Sequence, residues 1–132
     1  AQAKRLKITD HVIFAGFVPH LEKFLAGFDL FIHPSRREGL GVVVLEALAA
    51  GVPVIAGRAG GLVDAIDDGR NGLLVPAGDP ASLTSAMLRL LEDPVFARRL
   101  AHAGRAGVAQ HFSLQAMADA YRGLYSNLMR HE

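Results

Sequence analysis

The chain has 132 residues, the length of one domain, and at this size roughly two-thirds of the unfolded chain's surface can leave water. A composition that is 51% hydrophobic and 20% charged excludes intrinsic disorder, and the absence of cysteine excludes a disulfide framework, a thiolate nucleophile and a cysteine metal site. A net charge of +1, no Trp and 7% aromatics leave no electrostatic footprint for nucleic acid or an anionic membrane and no base-stacking platform.

The basic start, Ala1 to Lys7, is followed by no apolar stretch of signal-peptide length. The longest nearly uninterrupted apolar run, Gly39 to Pro53, is split by Glu46 and is too short to span a bilayer. The expectation is a soluble cytoplasmic protein without an integral membrane segment, and a cysteine-free chain suits a reducing compartment.

Val12 to Val18 is β-branched and aromatic and ends at Pro19, which predicts a first strand. Leu21, Phe24, Leu25 and Phe28 have helical spacing. Asp29 to Pro34 reads as a second, buried strand. A glycine-rich turn, Glu38-Gly39-Leu40-Gly41, leads into a helix over Val42 to Ala50, with Gly51 placed to cap it. Val52 to Ala56 is a third strand, Leu62 to Ile66 a short helix, and Gly72 to Pro76 a fourth strand after the turn dipeptides Asp68-Gly69 and Asn71-Gly72.

From residue 79 the pattern is helical. Asp79-Pro80 and Asp93-Pro94 each place an N-cap before a proline at the first helical position. Leu83, Met87, Leu90 and Leu91 mark one face of the first of these helices. Phe96, Leu100 and Ala103 mark the second, which Gly104 and Gly107 weaken. Ser113 can cap a last helix carrying Leu114, Met117, Tyr121, Leu124, Tyr125 and Leu128 in one stripe. The predicted architecture is α/β: a partial Rossmann-like sheet of about four mostly parallel strands, helices on both faces, and a helical C-terminal tail. Residues 1–132 read as one unit, with strands and helices alternating over 1–78 and the tail over 79–132. There is no internal repeat and no linker.

The chemistry concentrates between residues 35 and 46. In open parallel sheets ligands bind beyond the carboxyl ends of the strands, and the loop after Ile32-His33 lies at such an end. Gly39 and Gly41 permit close backbone approach, and the helix that follows aims its free N–H groups and positive dipole end at the same space. Glu38 and Glu46, eight residues apart, could accept hydrogen bonds from polyol hydroxyls. Glu46 stands among Val42 to Ala49, where burying a carboxylate without a partner is costly. The same glycines also fit an ordinary strand-to-helix turn, with both glutamates solvated.

The stretch from Pro34 to Ala56 resembles the E-x7-E region of retaining glycosyltransferases of family 4, the group 1 enzymes of GT-B architecture. Further matches follow in order: Gly60-Gly61, Asp68-Gly69, Asn71 to Val75, Leu90 to Pro94 and Phe112-Ser113. Val12–Val18 and Asp29–Ser35 fit upstream. The resemblance implies the C-terminal domain that binds the nucleotide-sugar donor. Glu38, the catalytic candidate, would lie near the donor sugar's hydroxyls. The backbone at Gly39, Leu40, Gly41 and Val42 would approach sugar and diphosphate. Glu46 would bond the ribose, and the turn at Phe17-Val18-Pro19 would lie near the base. The resemblance also implies a metal-independent reaction with no cofactor beyond the nucleotide sugar, so the six histidines read as structural or surface residues and Asp67-Asp68-Gly69 as a turn.

Departures accompany the match. Asp64 stands where the family commonly has Glu, and Leu114 where it often has Trp. The family's first two donor-domain strands, with their phosphate-gripping Arg and Lys, have no counterpart, nor does the N-terminal acceptor domain. Arg36 and Arg37 are the nearest substitutes and otherwise read as a solvated loop. Without its usual neighbours Val12–Val18 is expected to slide beside Asp29–Pro34 or to pair with another copy of the chain, so a homo-oligomer is predicted. The last helix, which in the family crosses to the other domain, would be left partly uncovered unless it packs on its own sheet. The readings are therefore the donor-binding part of a transferase, inactive alone and binding nucleotide sugar weakly, or a non-catalytic assembly module. A flavodoxin-like signalling domain lacks the acidic cluster it would need after the first strand.

Overall fold

The computed structural model describes residues 2–130; Ala1, His131 and Glu132 lie outside it. Three strands pair in parallel in the order β1 (Phe31–His33), β2 (Val54–Gly57), β3 (Leu73–Val75). Phe31 faces Val54 across the first ladder and Ile55 faces Leu73 across the second. All four residues of β2 and all three of β3 are buried, as expected where helices cover both faces of a parallel sheet.

Period-two alternation sorts the strand side chains into two cores. Val54, Ala56 and Leu74 pack with Val44, Ala47 and Leu48 of α3 (Val42–Ala49), Leu62 and Ala65 of α4 (Leu62–Ala65), and Leu25 of α2 (Glu22–Leu25). Ile55, Leu73 and Val75 face the other way, against Leu90 of α5 (Pro80–Glu92) and Phe96 and Leu100 of α6 (Pro94–His111). Helix α6 serves both, since Val108 near its end packs with the first core. A short α1 (Gln2–Arg5) precedes these elements and α7 (Leu114–Leu128) ends them.

The start and stop signals hold. The Asp79 carboxylate accepts from Ala81 and Ser82 N–H, that of Asp93 from Phe96 N–H, and the Ser113 hydroxyl oxygen from Ala116 N–H. Gly51 takes the left-handed conformation (φ +76°) just past α3, which costs glycine nothing.

Three expectations need correction. First, the sheet has three strands among the described residues, because Val12–Val18 forms none. It neither slides beside β1 nor finds another edge. Ile13, Phe14 and Phe17 are 91%, 82% and 92% exposed, and Gly16 (φ +65°) breaks its extended run. β-Propensity is a preference for a half-buried pleated surface, and no such surface is on offer there. Second, α6 runs unbroken through Gly104 and Gly107. A Cβ at Gly104 would lie 2.7 Å from Leu48 Cδ2 and 2.9 Å from the Asn71 carbonyl oxygen. The glycine lets α6 press onto α3, and that packing outweighs its poor propensity. Third, Leu91 points to solvent while Leu90 is buried. The last helix is left uncovered, as anticipated: no residue of α7 is buried.

Candidate functional site

The carboxyl ends of β1 and β2 give rise to two loops that press together. Glycine makes this possible. A Cβ at Gly60 (φ +50°) would collide with the Glu38 carbonyl oxygen, one at Gly61 would lie 2.5 Å from the Gly39 carbonyl oxygen, and one at Gly57 2.5 Å from that of Ser35. The Gly61 N–H donates to the Gly39 carbonyl at 2.8 Å. Gly41 is left-handed (φ +70°), and a Cβ there would meet Leu62. Gly39 differs: a Cβ would find nothing within 4 Å, so the space beside it is open. Of the two glycines singled out in the sequence, Gly41 serves the turn and Gly39 leaves room.

Helix α3 starts at this loop. The N–H groups of Val42 and Val43 have no intrahelical acceptor, and those of Leu40 to Val43 donate to no other backbone carbonyl. The result is a set of N–H groups without backbone acceptors at the positive end of a helix, with Leu40 and Val42 exposed, Val43 half-buried and Gly41 buried.

Glu38 stands beside these groups. One carboxylate oxygen accepts from the Gly39 N–H at 3.1 Å. The other lies 2.6 Å from His33 Nε2, and the Ser35 hydroxyl oxygen lies 3.0 Å from the same nitrogen. The His33 hydrogen bond holds the Glu38 carboxyl below its ordinary value, with smaller help from the Gly39 N–H. The group is therefore an acceptor near neutrality, and an ionised carboxylate has acceptor capacity beyond these bonds for a hydroxyl proton.

Glu46 lies one turn further along α3 and is exposed, as Val42 is. The burial cost expected from its apolar neighbours does not arise, because Val44, Ala47 and Leu48 take the inner face. Glu38, Gly39, Leu40, Gly41, Val42 and Glu46 thus share one edge of the fold. Phe17 and Val18 do not join them by any hydrogen bond; Phe17 projects into solvent and Val18 is half-buried, both on the unpaired N-terminal segment.

Arg36 is not at the helix terminus. Its guanidinium lies against the Gly78 turn, where a Gly78 Cβ would be 2.8 Å from Arg36 Nε, beside a hollow of about 240 Å³ lined by Pro34, Val75, Pro76 and Leu83. Asp64 lines a separate concavity of about 560 Å³ with Asp67, Arg70 and His111, which includes none of the Glu38 loop. Asp67 and Asp68 are engaged in their turn. Asp67 pairs with Arg70, and Asp68 pairs with Arg58 while accepting from Leu74 N–H. Among the described residues no group of three or more potential ligands is arranged for a metal ion, and no helix is long and apolar enough to cross a membrane.

Sequence reasoning did not single out His33, grouping it with the other histidines as structural or surface residues; the structure sets it against Glu38. The available signal was its place at the carboxyl end of a parallel strand, where ligand sites of such sheets gather.

An all-parallel sheet with helices on both faces, whose carboxyl edge carries a glycine loop, a helix N-terminus and an oriented carboxylate, is a Rossmann-like fold. Residues 1–93 match the family described as glycosyl transferases group 1, and the chain belongs to that family. It is 33% identical over 127 residues to N-acetyl-alpha-D-glucosaminyl L-malate synthase of Bacillus anthracis, spanning 96% of this chain and 33% of that protein. It is 40% identical over 130 residues to a GDP-mannose-dependent alpha-(1-6)-phosphatidylinositol monomannoside mannosyltransferase of Mycolicibacterium smegmatis, spanning 92% of this chain and 33% of that protein. Among solved structures, HepE of Anabaena in complex with UDP superposes with a TM-score of 0.89 at 29% identity, over 96% of this chain and 35% of that one. Sucrose-phosphate synthase of Thermosynechococcus elongatus superposes with a TM-score of 0.86 at 34% identity, over 99% and 33%. The chain thus spans about a third of the length of these relatives.

Proposed function

We propose that this chain is the donor-binding part of a retaining glycosyltransferase that transfers a sugar from a nucleotide diphosphate sugar to an acceptor. The observation that carries the reading is the oriented Glu38 carboxylate beside the N–H groups of Leu40 to Val43, which have no backbone acceptor. Glu38 accepts hydrogen bonds from the donor sugar's hydroxyls. The open space at Gly39 admits the sugar and diphosphate. The amides and dipole of α3 stabilise charge that grows on the diphosphate as the glycosidic bond breaks, and such preorganised donors are a large source of rate. Glu46 accepts from the ribose, and Phe17-Val18 flank the base. The catalytic contribution is positioning and charge rather than acid chemistry. No metal is required, and residues 1–132 act as one unit in the cytoplasm. The relatives' names and the UDP complex of HepE support a nucleotide-sugar donor.

The chain alone binds the donor weakly and does not turn it over, because the diphosphate meets amides but no charged clamp, and charge-assisted phosphate contacts are among the strongest. Calorimetric titration with UDP, GDP and their sugars, with and without a chelator, tests this. Binding is expected at high micromolar to millimolar concentration and unchanged by chelation. Glu46→Ala weakens nucleotide and nucleotide sugar alike, and Glu38→Gln weakens only the nucleotide sugar. Binding that neither variant changes would remove the reading, and sugar transfer by the purified chain would remove the claim of inactivity.

A second reading is favoured by the exposed apolar residues of the N-terminal segment and α7: a non-catalytic, homo-oligomerising module built on this domain. No binding at millimolar nucleotide together with stable self-association would select it.

A further inference from the structure

We propose that His33 is the positioning residue of this site, holding the Glu38 carboxylate in the orientation that receives the donor sugar. This rests on the assignment of Glu38 to the sugar hydroxyls. Glu38 sits on a loop, with its side chain one-quarter exposed. A glutamate there would ordinarily sample several rotamers, and ordering it at binding would weaken the complex. Two restraints remove that freedom. The Gly60 turn presses on the Glu38 carbonyl and fixes the backbone. His33 fixes the carboxylate, at 2.6 Å.

His33 is itself held. It ends β1, registered opposite Ala56 of the central strand. Its ring stacks on that of Phe31, with centroids 6.4 Å apart and planes 10° from parallel, and Phe31 packs against the first core. An unbroken path of packing thus runs from the sheet to the carboxylate. The chemistry fixes the tautomer as well. An ionised carboxylate only accepts, so Nε2 carries the proton and donates. The Gly39 N–H takes the other oxygen, so both carboxylate oxygens are held. A single hydrogen bond adds little to the stability of a fold; what this one supplies is direction.

Three measurements on the full chain test the proposal. Ring nitrogen NMR shifts should report an Nε2-protonated His33 and should move on Glu38→Gln. An Nδ1–H tautomer, or shifts indifferent to Glu38→Gln, would overturn the pair whatever the protein's function. His33→Phe keeps the stack on Phe31 but removes the donor. It should weaken nucleotide-sugar binding about tenfold, leave nucleotide diphosphate binding unchanged, and leave the melting temperature near that of the native chain. Equal losses for nucleotide and nucleotide sugar would mark a merely structural strap and overturn positioning. His33→Gln, which can still donate to the carboxylate, should recover part of the lost sugar binding, and failure to exceed His33→Phe counts against the proposal. A native chain that binds nucleotide but gains nothing from the sugar overturns the assignment of Glu38 and the positioning role with it, while the NMR coupling still separates that failure from a failure of the pair.

Discussion

A Cβ at Gly39 would touch nothing, whereas one at Gly60 would enter the Glu38 carbonyl oxygen. The two glycines of this loop pair therefore make opposite predictions. Gly39→Ala should leave stability within about 0.5 kcal/mol, as for an unconstrained surface site, and yet weaken donor binding because the added methyl enters the open space. Gly60→Ala carries about 1–2 kcal/mol for the left-handed backbone alone, with the collision added, so its thermal transition should fall clearly. Thermal unfolding and calorimetric titration of both variants check this. Equal stability losses would show that Gly39 serves only the turn. A second test concerns pH. The Ser82 hydroxyl and N–H hold the Asp79 carboxyl below its ordinary value. A group lowered in the folded state stabilises it above the unfolded pKa, and that contribution disappears as pH falls through the lowered native value. The stability gap between the native chain and Asp79→Ala should therefore be full near neutrality and shrink in acid. A gap that widens in acid would contradict the assigned hydrogen bonds.

At the scale of elements, the N-caps of α5, α6 and α7, the end of α3 and the buried strands β2 and β3 were legible in the sequence because their causes are local. Asp-Pro pairs, Ser113 and Gly51 act within one turn, and short apolar runs flanked by turn residues have few alternatives. By contrast, the helix read from Leu21, Phe24, Leu25 and Phe28 is only the single turn Glu22–Leu25, and the strand read as buried at Asp29 to Pro34 is the half-buried edge strand β1. What was not legible depended on partners distant in sequence. Val12–Val18 has strand composition but no edge to pair with. His33 and Glu38 become a pair only when the intervening loop folds back. Gly104 reads as a helix breaker until α3 is placed against it. That last case separates propensity from packing. Replacing glycine by alanine within a helix gains up to about 1 kcal/mol. At Gly107 the added Cβ would make only an ordinary contact, 3.7 Å from Asn71 Nδ2, so Gly107→Ala should stabilise by most of that amount. At Gly104 the Cβ would press on Leu48 and on the Asn71 backbone, and overpacking of this kind costs about 1–3 kcal/mol. Gly104→Ala should therefore destabilise. Denaturant unfolding of the pair gives shifts of opposite sign, and a gain at both sites would mean that α6 can move away from α3 freely.

At the scale of the whole molecule, the buried cores leave two apolar surfaces unused. One is the segment bearing Ile13, Phe14 and Phe17. The other is the α7 stripe of Leu114, Met117, Tyr121, Leu124, Tyr125 and Leu128, each more than half exposed. Apolar surface left uncovered in this way is where association between chains is expected. Stable interfaces use roughly 20–30 residues a side, more than the 15 residues of α7 or the seven of Val12–Val18 supply alone, so neither makes a stable contact by itself. The chain alone is therefore expected to self-associate, with the unpaired edge of β1 and the Val12–Val18 segment available for strand pairing between copies. Sedimentation velocity at tens of micromolar should show a dimer or larger species. Phe14→Asp with Phe17→Asp should weaken association, and Tyr121→Asp with Leu124→Asp should do so independently. Both pairs should spare the melting temperature of the dilute protein, because these side chains contribute little to either core. A native chain that sediments as a monomer at these concentrations would mean that the exposed stripes are tolerated as they stand, and the oligomeric reading would fall.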